Sequence, residues 1–368
     1  MGDILHALPA VTALRQQHPS WVIDWVIEPA WCALLTADCD AANPGSPRTG
    51  GPWGGNPGRG PAQPVVDGLH LASTKAWRRQ PSTSQTRREI KALRQTLREC
   101  RYDAVLDFQG ALRSAVLARM TGCRRRIGES HPREWWARWC YTDRVVTRGV
   151  HVIEQDVELA AAVAGDDLPA VQPWLPVDGA AEAWCDQLLP RSDASPAVLL
   201  NPGAGWGAKR WPLERYAAVA ATLAGRGMRV FVNAGPGEEP LTGAICEQSG
   251  GAAQPCHCSV EQLIALTRRV ALMIAGDTGP LHLASALGRP VVGIYGPTDP
   301  ARNGPFGTRS RVLRSPDSRR DHSRRAEPEA GLLTITPEAV IQASDELLAP
   351  APHGQVFGRG VADGENVS

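Results

Sequence analysis

The sequence has no uninterrupted run of roughly 18 apolar residues, so it offers no transmembrane helix. Its opening, Met1-Gly2-Asp3-Ile4, has no positive stretch ahead of an apolar one, so no secretory signal is visible. Net charge is almost absent as well. Lys and Arg number 39 against 38 Asp and Glu, which leaves +1 and argues against a dedicated nucleic-acid binder. The nine cysteines are odd in number and scattered, which fits a reducing cytosol better than a disulfide scaffold. The G-x-S-x-G elbow, the P-loop and the HExxH helix are all missing. Cys256-His257-Cys258 has no second pair at zinc spacing, so no metal is expected there.

What is present is an ordinary globular composition, with 43% hydrophobic and 21% charged residues. A length of 368 residues suggests about two domains. The charge balance is not local. Residues 75–148 hold 18 Lys and Arg against 7 Asp and Glu, and residues 309–325 hold 7 Arg against 2 Asp. The remainder therefore carries −15. A basic block in an otherwise acidic chain points to an anionic partner, either phosphates, carboxylates or an anionic membrane surface. A solvated helix face is the alternative for any single Arg.

Residues 43–64 contain 13 Gly or Pro in 22 positions and cannot bury enough apolar surface to offset their ordering entropy. Disorder is expected there, in the polar stretch 315–330 and in the tail 350–368. Elsewhere short apolar runs alternate with amphipathic stretches. Strands are expected at 21–27, 103–108, 197–201, 229–233, 271–276 and 290–295. Helices are expected at 8–18, 82–101, 111–121, 154–164, 212–226, 259–268, 279–287 and 337–348. Such alternation means a parallel α/β sheet. The pattern occurs twice and breaks near 165–195, where prolines cluster. Two doubly wound domains, 1–175 and 176–349, are expected to face a cleft. Ligands of such folds bind at the carboxyl ends of the strands.

Three segments sit at such ends. Ala275-Gly276-Asp277-Thr278-Gly279-Pro280-Leu281-His282 follows an apolar run and opens a helix. Uncapped amides and the helix dipole there favour an anion such as phosphate, within reach of His282. The same turn serves equally well if Asp277 or Thr278 only caps the helix. Asn201-Pro202-Gly203-Ala204-Gly205-Trp206-Gly207-Ala208-Lys209-Arg210 brings glycine amides and two cations to a second such position. It formally fits a dinucleotide fingerprint, but the next strand ends at Asn233 where a ribose-binding acid is needed. Glu238 and Glu239 come later, on a loop that can bind ribose or simply face solvent. Thirdly, Gly2-Asp3 precedes a helix, so Asp3 is either its N-cap or a general base in the cleft, with His6 close by.

In order, these segments resemble the ADP-heptose:lipopolysaccharide heptosyltransferases of glycosyltransferase family 9, most of all heptosyltransferase I. The resemblance rests on Met1 to Ala10, on Asp107-Phe108-Gln109-Gly110 with Arg113-Ser114, on Lys209-Arg210-Trp211-Pro212, on Gly279-Pro280-Leu281-His282 and on Tyr295-Gly296-Pro297-Thr298-Asp299-Pro300. Asp24 to Glu28 and Trp77-Arg78-Arg79 look like the first heptosyltransferase rather than the second.

The resemblance implies a GT-B fold of two Rossmann-like domains, an N-terminal acceptor domain and a C-terminal donor domain. It implies direct, inverting transfer of L-glycero-D-manno-heptose from ADP-heptose to a Kdo-lipid A core, with no cofactor and no metal. Asp3 matches the catalytic base and Lys209 the lysine that neutralises the departing diphosphate. Glu238 matches the acid that binds the donor, and Asp277, Thr278, Gly279, Pro280 and His282 match donor contacts. Lys75, Arg78, Arg79 and Arg113 sit where the acceptor domain meets an anionic glycolipid.

A monomer on the cytoplasmic face of the inner membrane is implied, with no nucleic-acid partner. The family also has an apolar strand ahead of its Gly-Asp loop, and this sequence opens at Met1-Gly2. A start downstream of the true one, or a fragment, is therefore expected, with a degraded gene as the alternative. The competing functions are a related transferase with another nucleotide-sugar or acceptor, an inactive nucleotide- or glycan-binding protein, and a nicotinamide oxidoreductase.

Overall fold

The computed structural model describes residues 1–37, 65–190, 192–318 and 327–350. The insert expected at 43–64, the middle of 315–330 and the tail beyond Pro350 lie outside the described residues. The chain divides into two units, Asp3–Val177 and Asp178–Ser368.

The first unit opens on helix α1 (Gly2–Gln17), which is buried without a break from Leu5 to Arg15. The helix was expected to begin at Leu8, beside Pro9. It runs straight through Pro9 instead, because burial on every face outweighs one lost hydrogen bond. Asp3 therefore lies in the first turn of α1, where a carboxylate complements the helix dipole, and it is not the N-cap. Arg15 is buried at the far end. Its guanidinium donates to the carbonyls of Val65 at 3.1 Å, Pro19 at 3.1 Å and Trp21 at 2.6 Å, and it pairs with Asp67.

Strand β1 (Asp24–Ile27) pairs in parallel with β2 (Gly68–Leu71). Helix α2 (Thr74–Arg79) and helix α3 (Ser84–Glu99) follow. Thr83 caps α3, accepting from the Thr86 amide at 3.1 Å. Strand β3 (Val105–Asp107) leads into α4 (Leu112–Met120), then β4 (Arg126–Glu129), β5 (Asp143–Val145) and α5 (Val152–Ala164). The three strands form a parallel sheet in the order β3-β4-β5. The single sheet expected for this unit is thus two separate parallel sheets among the described residues.

The second unit opens on α6 (Gly179–Leu188), inside the proline-rich stretch read as a bare connection. Asp178 starts it by accepting from the Ala181 amide at 2.7 Å. Then come β6 (Ala197–Asn201), α7 (Leu213–Gly225), β7 (Arg229–Val232), α8 (Glu239–Gln248), β8 (Ala253–Pro255) and α9 (Val260–Arg269). The chain continues through β9 (Leu272–Gly276), α10 (Gly279–Ala286), β10 (Val291–Tyr295), α11 (Pro300–Asn303), β11 (Ser310–Arg314) and α12 (Pro337–Leu348).

All pairings are parallel, in the order β8-β7-β6-β9-β10-β11. Numbered within the unit this is 3-2-1-4-5-6, the dinucleotide-fold order. Strands β6, β9 and β10 are buried at every position, as continuous apolar runs with helices on both faces must be. Trp211 and Tyr216 of the β6–α7 segment meet edge to face at 4.9 Å in this core. The Trp211 indole N–H donates to the Ile335 carbonyl at 3.0 Å, tying the segment just before α12 to the first half of the unit.

Arg15→Ala would leave Asp67 without its guanidinium in a buried setting. A loss of about 3 kcal/mol is expected in urea denaturation of the chain. A loss below about 1 kcal/mol would show that the Asp67 carboxylate is satisfied from elsewhere.

Candidate active site

The order of the second sheet decides where a ligand can sit. Beyond β6 the connections run to one side, and beyond β9 they run to the other, so a crevice opens between the carboxyl ends of these two neighbours. Lys209 lies on the loop that leaves β6, and Asp277 on the loop that leaves β9. The two meet across the crevice, with Lys209 Nζ 2.5 Å from Asp277 Oδ2. The other carboxylate oxygen, Oδ1, is 3.1 Å from His282 Nε2, one turn into α10. Both partners are largely buried, and the Lys209 ammonium also lies 5.3 Å from the Trp206 ring centroid.

Burial pushes the Asp277 carboxyl up. The His282 hydrogen bond and the charges of His282 and Lys209 outweigh it and hold the group well below the usual carboxylate range. Neither side chain that could have capped α10 does so. Asp277 is committed to Lys209 and His282, and Thr278 Oγ1 donates to the Gly276 carbonyl at 3.2 Å. The amides of Gly279 and Leu281 open the helix without a side-chain cap, beside a proline that has no N–H.

Glu238 stands at the carboxyl end of β7. Its Oε1 accepts from Arg210 at 3.2 Å and its Oε2 from the Gly235 amide at 3.2 Å. A Cβ at Gly203 would lie 2.0 Å from Glu238 Oε2, so only glycine lets this carboxylate reach the β6 loop. Asn201 and Asn233 close the ends of β6 and β7, with Asn233 Nδ2 donating to Asn201 Oδ1 at 3.0 Å. This buried amide pair stands where a nicotinamide-binding sheet has its ribose acid. Both residues stand out in the sequence, and only the fold shows that they meet.

In the first unit Asp3 is exposed, and its Oδ2 accepts from Gln109 Nε2 at 2.7 Å. Gln109 Oε1 in turn accepts from Arg113 Nε at 3.1 Å. Asp107 holds this relay in place. Its carboxylate accepts from the amides of Gln109 and Gly110 at 2.9 and 3.2 Å, from Ser114 Oγ at 2.9 Å and from the Tyr141 hydroxyl at 2.7 Å. Burial raises its carboxyl pKa in spite of those four donors. Gly110 has φ of +60°, and a Cβ there would lie 3.0 Å from the Arg133 amide nitrogen. The motif by itself gives Gln109 no role, and only the fold shows its contact with Asp3.

Lys75, Arg78 and Arg79 are exposed on α2, whose start is held by Glu28. That carboxylate accepts from the Thr74 hydroxyl and from the Lys75 amide at 3.1 Å. His6 is buried, edge-on to His151 at 6.1 Å. Cys256 and Cys258 bring their sulfurs to 3.3 Å.

Asp277→Ala is expected to destabilise the second unit by about 3 kcal/mol at neutral pH, by stranding Lys209 in a largely buried site. A depressed carboxyl contributes stability that is full above its ordinary value of 3.8 and is lost as pH falls towards its own lower value. Urea midpoints taken across that acid range should therefore converge for parent and variant. Parallel curves would remove Asp277 as the source.

The model of glycosyltransferase family 9 (heptosyltransferase) matches residues 90–332. Lipopolysaccharide heptosyltransferase 1 of Escherichia coli K12 is 28% identical over 324 residues, 86% of this chain and 91% of that one. The Pseudomonas aeruginosa enzyme of the same name is 27% identical over 85% of this chain and 80% of its own. Among solved structures, E. coli heptosyltransferase WaaC with ADP matches at a TM-score of 0.73 and 26% identity, over 94% of this chain and 97% of that one. The same enzyme with ADP-2-deoxy-2-fluoro heptose matches at 0.71. The matched span takes in the Gln109 motif, the Lys209 loop and the Asp277–His282 turn, and the chain belongs to glycosyltransferase family 9, the heptosyltransferases.

Proposed function

We propose that this chain moves L-glycero-D-manno-heptose from ADP-heptose to a Kdo-lipid A type inner core, with inversion at the anomeric carbon. The observation that carries this reading is the Lys209–Asp277–His282 cluster at the switch point of a 3-2-1-4-5-6 sheet, in a family 9 chain. The cluster supports diphosphate binding because it presents a desolvated ammonium and uncapped helix amides to one place.

Asp277 neutralises Lys209. A diphosphate repels that carboxylate and attracts that ammonium, so Asp277 acts by positioning Lys209 and His282 rather than by touching the phosphates. Glu238 is placed to bind donor hydroxyls, with Arg210 fixing its rotamer. Thr278, Gly279 and Pro280 form the turn that receives the diphosphate.

Asp3 is the proposed base. It takes the proton of an acceptor hydroxyl as the oxygen attacks the anomeric carbon. The bond from that carbon to the diphosphate oxygen breaks, and ADP leaves with the electron pair. Lys209 and the first-turn amides of α10 meet the developing charge. Gln109 donates to Asp3 and is itself held by Arg113, so the base keeps one orientation. Lys75, Arg78, Arg79 and Arg113 supply the positive surface for an acceptor rich in carboxylates and phosphates. The site of action is the cytoplasmic face of the inner membrane, with the chain held peripherally as a monomer. No helix among the described residues is long and apolar enough to cross a membrane.

Calorimetric titration with ADP, set against UDP, GDP and NAD, tests the donor. Selective ADP binding is expected, and a folded chain that prefers another nucleotide points to a related transferase. Lys209→Ala should weaken ADP binding roughly tenfold to a hundredfold, the worth of one charge-assisted hydrogen bond. Asp3→Asn should lower kcat by ~10²–10⁴ with ADP affinity unchanged. A fall of less than about tenfold in the folded variant would take the base role from Asp3.

A further inference from the structure

Between β4 and β5 the chain makes a single 3-10 turn, Trp135–Cys140, with the sequence Trp-Trp-Ala-Arg-Trp-Cys. Its Ala137 and Cys140 pack with Ala115 of α4 and with Tyr141 into one small buried cluster. The turn and α4 are thus one layer. Glu134 locks them together, its amide donating to the Gly110 carbonyl at 2.9 Å and its Oε2 accepting from the Leu112 amide at 2.9 Å.

The small residues take the core, so the large ones are left outside. Trp135, Trp136 and Trp139 are 51%, 68% and 61% exposed, and Leu112 and Val116 of α4 are exposed as well. Such a concentration of large apolar side chains in solvent needs an explanation. The Arg138 guanidinium lies 4.0 Å from the Trp135 ring centroid and 5.7 Å from that of Trp139, and Arg144 lies 5.6 Å from Trp139. Residues 111–148 carry nine Arg against three acids. All three acids are engaged locally, Glu129 with the Thr147 hydroxyl, Glu134 with the Leu112 amide and Asp143 with the Thr142 hydroxyl.

We propose that this Trp135/Trp136/Trp139 surface docks the first unit onto a bilayer bearing anionic phospholipids. Indole rings settle at the depth of lipid headgroups, apolar body inward and N–H outward. Guanidinium groups stacked on those rings meet the phosphates at the same depth. A protein partner of this surface would need an almost wholly acidic rim, whereas an acidic bilayer offers one charge sign at any orientation. The surface continues into Arg113, next to Leu112 in sequence and hydrogen-bonded to Gln109, which holds Asp3. Docking there brings the proposed base to the layer where a glycolipid presents its sugars. The purpose, though not the binding, rests on the lipid acceptor proposed above.

The test is co-flotation of the full chain with vesicles of phosphatidylcholine alone or mixed with phosphatidylglycerol. Binding to the mixed vesicles should exceed binding to neutral ones at least about tenfold and should fall with added salt. The triple variant Trp135→Ser, Trp136→Ser, Trp139→Ser should bind mixed vesicles at least about tenfold less. Arg133→Glu with Arg144→Glu should lose the preference for anionic lipid.

Circular dichroism of every sample reports folding, and ADP titration reports the donor reading separately. A chain that binds ADP and ignores anionic vesicles overturns the docking surface and leaves the transferase intact. Undiminished vesicle binding by both variants overturns it too. A parent that sediments as a dimer, and a Trp136→Ser variant that sediments as a monomer, would assign the surface to a second copy of the chain.

Discussion

The contact between Lys209 and Asp277 is what the second unit is arranged around. Two full charges largely withdrawn from water cost several kcal/mol each unless each is well matched. The match exists only because β6 and β9 are neighbours in the sheet, so that their following loops leave side by side. That adjacency requires the order 3-2-1-4-5-6, and the order in turn requires right-handed crossovers through helices on both faces. The apolar runs of β6, β9 and β10 and the packing of Trp211 and Tyr216 therefore serve a site they do not touch. His282 completes the arrangement. It gives Asp277 a second partner, so both carboxylate oxygens are engaged and the ammonium stays where an incoming diphosphate can claim it.

The first unit solves a different problem with a buried carboxylate of its own. Asp107 holds no cation. It gathers four neutral donors and uses them to fix the turn that carries Gln109. Gln109 then spends its amide on Asp3 and its carbonyl on Arg113. An exposed carboxylate on the first turn of a helix would otherwise sample many rotamers. With its position set from outside, Asp3 meets the geometric demand that its proposed role as a general base makes. Gly110 and Asp107 are thus as much part of the site as Asp3, though neither can touch a reacting atom.

The legible part of this molecule was the part written in continuous runs. The strands now β6, β7, β9 and β10 are long, β-branched or aliphatic and flanked by turns, and they were placed within a residue or two. The equally short Asp24–Ile27 and Val105–Asp107 lie inside the apolar runs expected at 21–27 and 103–108, but other short strands with polar members escaped notice. Arg126–Glu129, Asp143–Val145 and Ala253–Pro255 are held by parallel neighbours that no local pattern announces. Helix α6 was hidden by the prolines on either side of it, and the start of α1 by the proline within it. At the site, Lys209 and the Asp277–His282 turn could be read separately, but not their meeting. Sixty-eight residues separate the ion pair, and only strand order closes that distance. The Asp107 carboxylate looked like one more polar end of a strand, because its donors Ser114 and Tyr141 lie on other elements.

Charge segregation along the chain follows from what each unit is proposed to hold. A nucleoside diphosphate is small and of fixed shape, so a few oriented groups suffice, and the second unit uses one desolvated lysine and the start of one helix. A glycolipid surface is broad and laterally mobile, and no single fixed site can match it. On the reading proposed above, the first unit meets such a surface with many exposed cations, on α2 through Lys75, Arg78 and Arg79 and on α4 through Arg113. Desolvation makes each contact strong in one case, and number makes the sum sufficient in the other. The same difference sets how each responds to salt. Exposed arginines are screened within a Debye length, while the buried ammonium is not. Ionic strength should therefore act on acceptor capture well before it reaches donor binding.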